Sequence, residues 1–306
     1  MIHGILAMVA GAAQVSVPGR VVVAPYLQGG TMTSMAVSWT TDRPTTARVL
    51  VRDEAGHVLA EQSGPVGVSH RIEIDHLTPG TEYRYAAYDS GALIGVGTFH
   101  TNPGSKVTDF RFAVVGEAAR VHPAAIARRV IDWKPDFVLL TASDVREVAG
   151  LVSALHPLLT RTAAYPLQSG RPAAGGAYAF QYGDARFFAL GTVDPRRPIG
   201  AMGRLKSTLR ESTSPWKCAY LRLSGAADLG RSWGDLLKRD RVRLVFADGA
   251  SANRWKPEGG VWTFYSGNQA RTAGARFIGV TMAKDEARIE AIDETGRVVE
   301  RASVRR

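Results

Sequence analysis

The chain has 306 residues, 45% of them hydrophobic and 22% charged, which is enough for two ordinary cores and too balanced for disorder. A single cysteine, Cys218, excludes an intrachain disulfide and a thiolate zinc cluster. The formal charge of +10 is uneven, since residues 1 to 104 carry 6 Lys+Arg against 8 Asp+Glu while the whole chain carries 38 against 28; the excess is mostly arginine, whose planar fork suits phosphate or carboxylate partners, and no nucleic-acid motif accompanies it.

Residues 1 to 18 open with a short apolar run ending in the small residues Ala10 to Ala13. That is the pattern of an export signal without its basic n-region, so residues 1 to 18 read either as a signal peptide placing the protein outside the cytoplasm or as a disordered N-terminus of a cytoplasmic one. No later apolar run approaches the roughly 20 residues that span a bilayer.

From Arg20 to Thr101 the chain alternates with period two in short β-branched runs: Val21–Val23, Met35–Trp39, Ala47–Val51 and Arg71–Ile74. Turn chemistry at Gly29-Gly30, Asp53 to Gly56 and Pro79-Gly80 separates them, so residues 19 to 103 are predicted to form an all-β sandwich. Within it, Leu77 to Tyr85 (LTPGTEYRY) is similar to the fibronectin type III corner, where a tyrosine hydroxyl bonds back to the preceding turn. Trp39 is its expected core tryptophan. The histidines of this part, His57, His70, His76 and His100, fall on separate strands and turns and gather at no motif.

Thr101 to Ser105 (TNPGS) reads as a polar hinge, after which strands alternate with helical stretches, the grammar of an α/β domain over residues 104 to 306. Strands are expected at Phe110–Val115, Phe137–Leu140, Ala177–Gln181, Arg186–Leu190, Lys217–Leu223, Val242–Phe246, Val261–Tyr265, Phe277–Met282 and Ala287–Ile292. Helices are expected at His122–Trp133 and Val148–Leu159. Cys218, on a strand, reads as a small core residue.

In that order the segments resemble the purple acid phosphatases, which join a fibronectin-like domain to a calcineurin-type metallophosphoesterase sandwich. The resemblance is carried by Pro25-Tyr26-Leu27-Gln28, by the 77–85 corner, by Lys134 to Leu139 (KPDFVL), by Tyr178 to Gly183 (YAFQYG) and by Val242 to Phe246. It implies a dinuclear centre of iron with zinc, manganese or a second iron, whose ions bind a phosphate ester and lower the pKa of a coordinated hydroxide.

The positions that would hold those ions have changed chemistry. Glu117 stands where the first Asp ligand would be, Ala142 to Arg146 replaces Gly-Asp-x-x-Tyr, and Ser169-Gly170-Arg171 replaces Gly-Asn-His. Arg222 falls at a histidine position, and Asp248-Gly249-Ala250-Ser251 replaces Gly-His-x-His. Only His122 and His156 remain beyond residue 104, neither at a motif position. Arginine offers a metal no lone pair.

These substitutions predict no catalytic residue and no cofactor. Glu117, Asp144 and Asp248 are left as a weak oxygen-ligand set for a hard ion, or as solvated loop acids and arginine partners. Arg120, Arg146, Arg171, Arg222 and Arg254, expected on loops around the former cleft, form a candidate site for phosphate, sulfate or another polyanion. Two other readings stay open: a divergent phosphatase with a rebuilt carboxylate metal site, and a structural surface or assembly protein contacting a protein partner through the β-sandwich.

Overall fold

The computed structural model describes residues 18–141, 145–167, 177–193, 206–223, 229, 231–249, 255–258, 261–266 and 275–306. The first part contributes strands β1 (Val21–Gln28), β2 (Met35–Arg52), β3 (Val58–Ile74), β4 (Glu82–Asp89) and β5 (Ala92–His100). Where the sequence suggested separate strands at Met35–Trp39 and Ala47–Val51, the structure has one. Its pairing with β3 shifts register between Thr40 and Ala47, so the strand turns without ending. Its first half pairs with β1 and its second with β4, which lets one strand serve two layers around Val37, Trp39, Val49 and Val51, all at most 1% exposed. The tyrosine corner expected at 77–85 is present as a hydrogen bond, the Thr78 N–H donating to the Tyr83 hydroxyl at 2.8 Å.

A buried polar knot joins these strands. The Thr45 hydroxyl donates to Asp89 and lies 3.0 Å from His70 Nε2, so the ring nitrogen facing it is the donor. The other Asp89 oxygen accepts from the Gly19 N–H at 3.1 Å. Each polar group is matched, as burial requires.

The expected hinge at Thr101 to Ser105 is instead clamped. Thr101 and Asn102 are buried; the Asn102 amide donates to the carbonyls of Gly30 (3.1 Å) and Gln181 (2.8 Å) and its oxygen lies 2.9 Å from the Tyr165 hydroxyl. Turn-forming residues predict a bend, and they carry no information on what their side chains will grip.

Beyond it, β6 (Phe110–Val115), β7 (Phe137–Leu140) and β8 (Ala163–Pro166) run parallel, with helix α1 (Pro123–Trp133) between the first two and α2 (Val145–Leu159) between the second two. Strands β15 (Arg276–Met282), β16 (Glu286–Asp293) and β17 (Val298–Arg305) extend this sheet antiparallel on one side. On the other, a single pairing of Gln28 with Ala164 joins β8 to β1, making one mixed sheet of 11 strands.

A second sheet of six strands contains β9 (Tyr178–Tyr182), β10 (Ala185–Val193), β11 (Trp216–Leu223), β12 (Leu244–Asp248), β13 (Lys256–Glu258) and β14 (Val261–Tyr265), in the order β13-β14-β12-β11-β10-β9. Helices α3 (Lys206–Glu211) and α4 (Arg231–Arg239) lie between β10 and β12 in the chain. The molecule is β-rich, with few helices.

The two sheets close on an aromatic core. Phe112 stacks on Phe137 (5.1 Å between ring centres) and meets Phe187 and Phe246 of the second sheet edge-on at 5.2 and 5.5 Å, arrangements that add to the burial of the rings. The outer face of the first sheet is covered by Ile126 and Val130 of α1 and Leu151 and Leu155 of α2. That of the second is covered by Trp233 and Leu237 of α4. Both helices of the first cover present apolar residues at spacings of three and four.

Candidate functional site

Four parallel strands end at one place. Gly116 follows β6, Thr141 follows β7, Asp248 closes β12 and Ser266 follows β14. Each strand is largely apolar and buried, and the carboxyl ends of parallel strands are where α/β sheets collect ligands. The Thr141 hydroxyl donates to an oxygen of Asp248 at 3.3 Å and lies 3.4 Å from the Ser266 hydroxyl, which reaches the Ala247 carbonyl at 3.4 Å. These groups press on the backbone of Gly116: a Cβ there would lie 2.6 Å from Ser266 Oγ, 2.7 Å from Thr141 Oγ1 and 3.0 Å from Asp248 Oδ2. The glycine is required by close approach rather than by its φ of −118°.

Asp248 is fully buried, so it is not the solvated loop acid that its sequence context suggested. In strand register it stands beside Arg222. Arg222 itself lies within β11, next to Thr192 of β10 on its other side, in agreement with the expected strand Lys217–Leu223 and not on the loop expected for the arginine set. These two are the sequence candidates that the described side chains bring together.

Glu117 and Arg120 belong to a short 3-10 turn, Glu117–Arg120, directly after Gly116, and Arg146 is in the first turn of α2; their side chains lie outside the description. Asp144, Arg171 and Arg254 lie outside the described residues. Thr141 and Ser266 were not singled out from sequence. The pattern that points to them is a hydroxyl residue immediately after the buried runs Phe137–Leu140 and Val261–Tyr265.

The described side chains do not fit a dinuclear iron centre. One carboxylate and two neutral hydroxyls face the Gly116 backbone, whereas a ferric ion with a second cation needs several anionic or imidazole donors. Both histidines beyond residue 104 are engaged elsewhere: His122 Nε2 is 3.7 Å from a Glu294 oxygen and His156 Nε2 donates to the Pro25 carbonyl at 3.2 Å. Among the described residues no three His, Cys, Asp or Glu side chains gather in a metal-binding group. Cys218 is buried, and burial pushes its thiol pKa well up, which keeps it unreactive.

The two sheets and their covering helices have a metallophosphoesterase-like fold. The solved structure of PhoD matches with a TM-score of 0.65 over 95% of this chain and 90% of that one, at 10% identity. Two partial matches have lower TM-scores. GAP50, the anchor in the inner membrane complex of Plasmodium, gives 0.43 at 12% identity over 65% of this chain and 89% of its own. A predicted phosphoesterase of Streptococcus pneumoniae gives 0.36 at 8% identity over 65% and 99%. No protein-family model and no curated protein matches the chain.

Proposed function

We propose that this protein is a phosphatase-fold protein of the purple acid phosphatase type that has exchanged hydrolysis for binding, taking an inorganic or esterified phosphate, or a sulfate, at the strand ends beside Arg222. The observation that carries the reading is the filling of the space around Gly116 by Thr141, Ser266 and Asp248, with both imidazoles of this part committed elsewhere. A guanidinium donor such as that of Arg222 binds a tetrahedral anion and activates no water.

The same reading takes residues 19 to 103 as a fibronectin type III-like sandwich, supported by the two-layer strand β2, buried Trp39 and the Tyr83 bond to Thr78. It takes residues 104 to 306 as the phosphoesterase-like unit and residues 1 to 18 as a leader for export. Among the described residues no helix is long and apolar enough to cross a membrane.

The test pairs metal analysis of the purified protein with a phosphomonoester assay supplemented with iron, zinc or manganese, and with phosphate calorimetry on the wild type and Arg222→Ala. Binding that weakens in Arg222→Ala, without turnover, is expected. Stoichiometric metal with turnover would replace this reading by that of an active, rebuilt phosphatase, and no heat at millimolar phosphate would end the anion site.

A further inference from the structure

The amino ends of the second sheet hold a different concentration of charge. A groove of ≈ 810 Å³ opens between the last turn of α3, the last turn of α4 and the starts of β11 and β12. Seven basic side chains line it against one carboxylate, Asp240. Asp240 is buried and already shared, its Oδ1 standing 3.7 Å from Arg210 Nε and 3.6 Å from Arg239 Nε. Lys217 forms part of the floor, buried, its Nζ donating to the carbonyls of Leu209 (2.6 Å) and Asp240 (3.2 Å). Arg306 reaches the rim from beyond β17, 3.9 Å from Asp285.

Part of this charge follows from helix geometry, because cations in the last turn complement the negative end of a helix dipole, as Arg210, Lys238 and Arg239 do. Arg241 and Arg243 have no such reason. They sit after α4 and before β12, exposed, with no carboxylate partner among the described residues, and Arg241 holds a left-handed backbone, φ 61°, that a bulky residue rarely adopts. Lys238 to Arg243 (KRDRVR) sets four cations in six residues. Ser212, Thr213 and Ser214 add hydroxyls along one wall.

We propose that this groove binds a flexible polyanion of closely spaced phosphates without bases, of the inorganic polyphosphate kind. Repeated cations in a wide concavity, Arg241 and Arg243 among them without a carboxylate partner among the described residues, match repeated charge better than a single anion. Among the described residues the lining contains no aromatic side chain, hence no platform for the stacking on which single-stranded nucleic acid binding relies. The site lies at the edge of the sheet opposite Asp248 and is independent of the reading proposed for the strand ends.

Calorimetry on the full chain at ~0.1 M salt, with linear polyphosphate, inorganic phosphate and a single-stranded DNA oligonucleotide as probes, tests the assignment. Polyphosphate is expected to bind, more weakly as salt rises. The pair Arg241→Glu/Arg243→Glu should weaken it by about tenfold or more. A control pair outside the groove with the same change of charge, Arg128→Glu/Arg161→Glu, should leave it within about twofold. Should the reversal pair not fold, Arg241→Gln/Arg243→Gln removes the charge with less repulsion and should give the same ranking. Absence of polyphosphate binding, equal weakening by the two pairs, or equal or tighter binding of the oligonucleotide would each overturn the proposal.

Discussion

The two edges of the six-stranded sheet are built from the same strands and have opposite character. At the carboxyl ends, Asp248 is buried between Thr141 and its register neighbour Arg222, and hydroxyls fill the space against Gly116. At the amino ends, the chain before β12 leaves Arg241 and Arg243 exposed over an open groove. A parallel sheet places its strand dipoles and loop amides so that the carboxyl edge is the usual ligand edge. Among the described residues that edge is packed around Gly116, and the greater density of accessible charge lies at the other one.

The largest test of this contrast strikes what both edges share. Phe112→Ala should cost about 3–5 kcal/mol, because the ring touches partners in both sheets and its removal leaves a cavity. Denaturant unfolding should show the loss, and both edges should fail together. Separate melting of the two sheets would break the picture of one core.

Next in size is the packed edge. Gly116→Ala should destabilise by about 1–3 kcal/mol through contact with Ser266, Thr141 and Asp248. Adding Ser266→Gly should restore part of the loss. If Gly116→Ala is neutral in thermal unfolding, the strand ends are open and the site is roomier than described.

At the open edge, Lys217→Met keeps the stem and removes the ammonium, leaving the Leu209 and Asp240 carbonyls without their donor, at about 1–2 kcal/mol. Burial holds the Lys217 pKa below its ordinary value. Between that lowered value and the ordinary 10.5 the unfolded chain binds more protons, so the wild type should lose some of its advantage over this variant as pH falls through the alkaline range below 10.5, with no further change once both states are protonated.

The smallest effect lies away from both edges, at His70. Burial lowers its pKa below the ordinary 6.5, against the opposing pull of Asp89. The folded state thus favours the neutral ring, and between the two pKa values the unfolded state binds more protons. Stability from this group is complete above about pH 6.5 and declines as pH falls below it. His70→Gln should flatten that part of a melting-temperature profile, whereas an unchanged slope would assign it to other groups.

Much of the fold was legible because burial writes itself into periodicity. Strand β7 is the uninterrupted apolar run Phe137–Leu140, β14 is the run Val261–Tyr265 broken only by Thr263, and helix α1 begins one residue after its expected start, at Pro123. Strand β8 was missed because Ala163–Pro166 is four residues long and contains a proline, too little pattern to separate from a loop. Between the runs Met35–Trp39 and Ala47–Val51, β2 continues through Asp42, Arg43 and Pro44, residues that a strand tolerates while it changes layers.

The site was legible only in part. Losing histidines is visible in a sequence, while two hydroxyls closing on a glycine from different strands are visible only in three dimensions. The groove did leave a trace in the sequence, the basic cluster Lys238 to Arg243, which precedes strand β12 rather than following one.

Asn102 sets how the molecule comes apart. One buried amide fastens the end of the first strand bundle to Gly30 and to Gln181, so the segment 101–105 behaves as a rivet. A protease nick or an engineered cut between residues 103 and 104 would release no pair of independent modules. The fragments would carry torn, unmatched amide and carbonyl groups on freshly bared apolar faces, and heat should melt the intact chain in a single event.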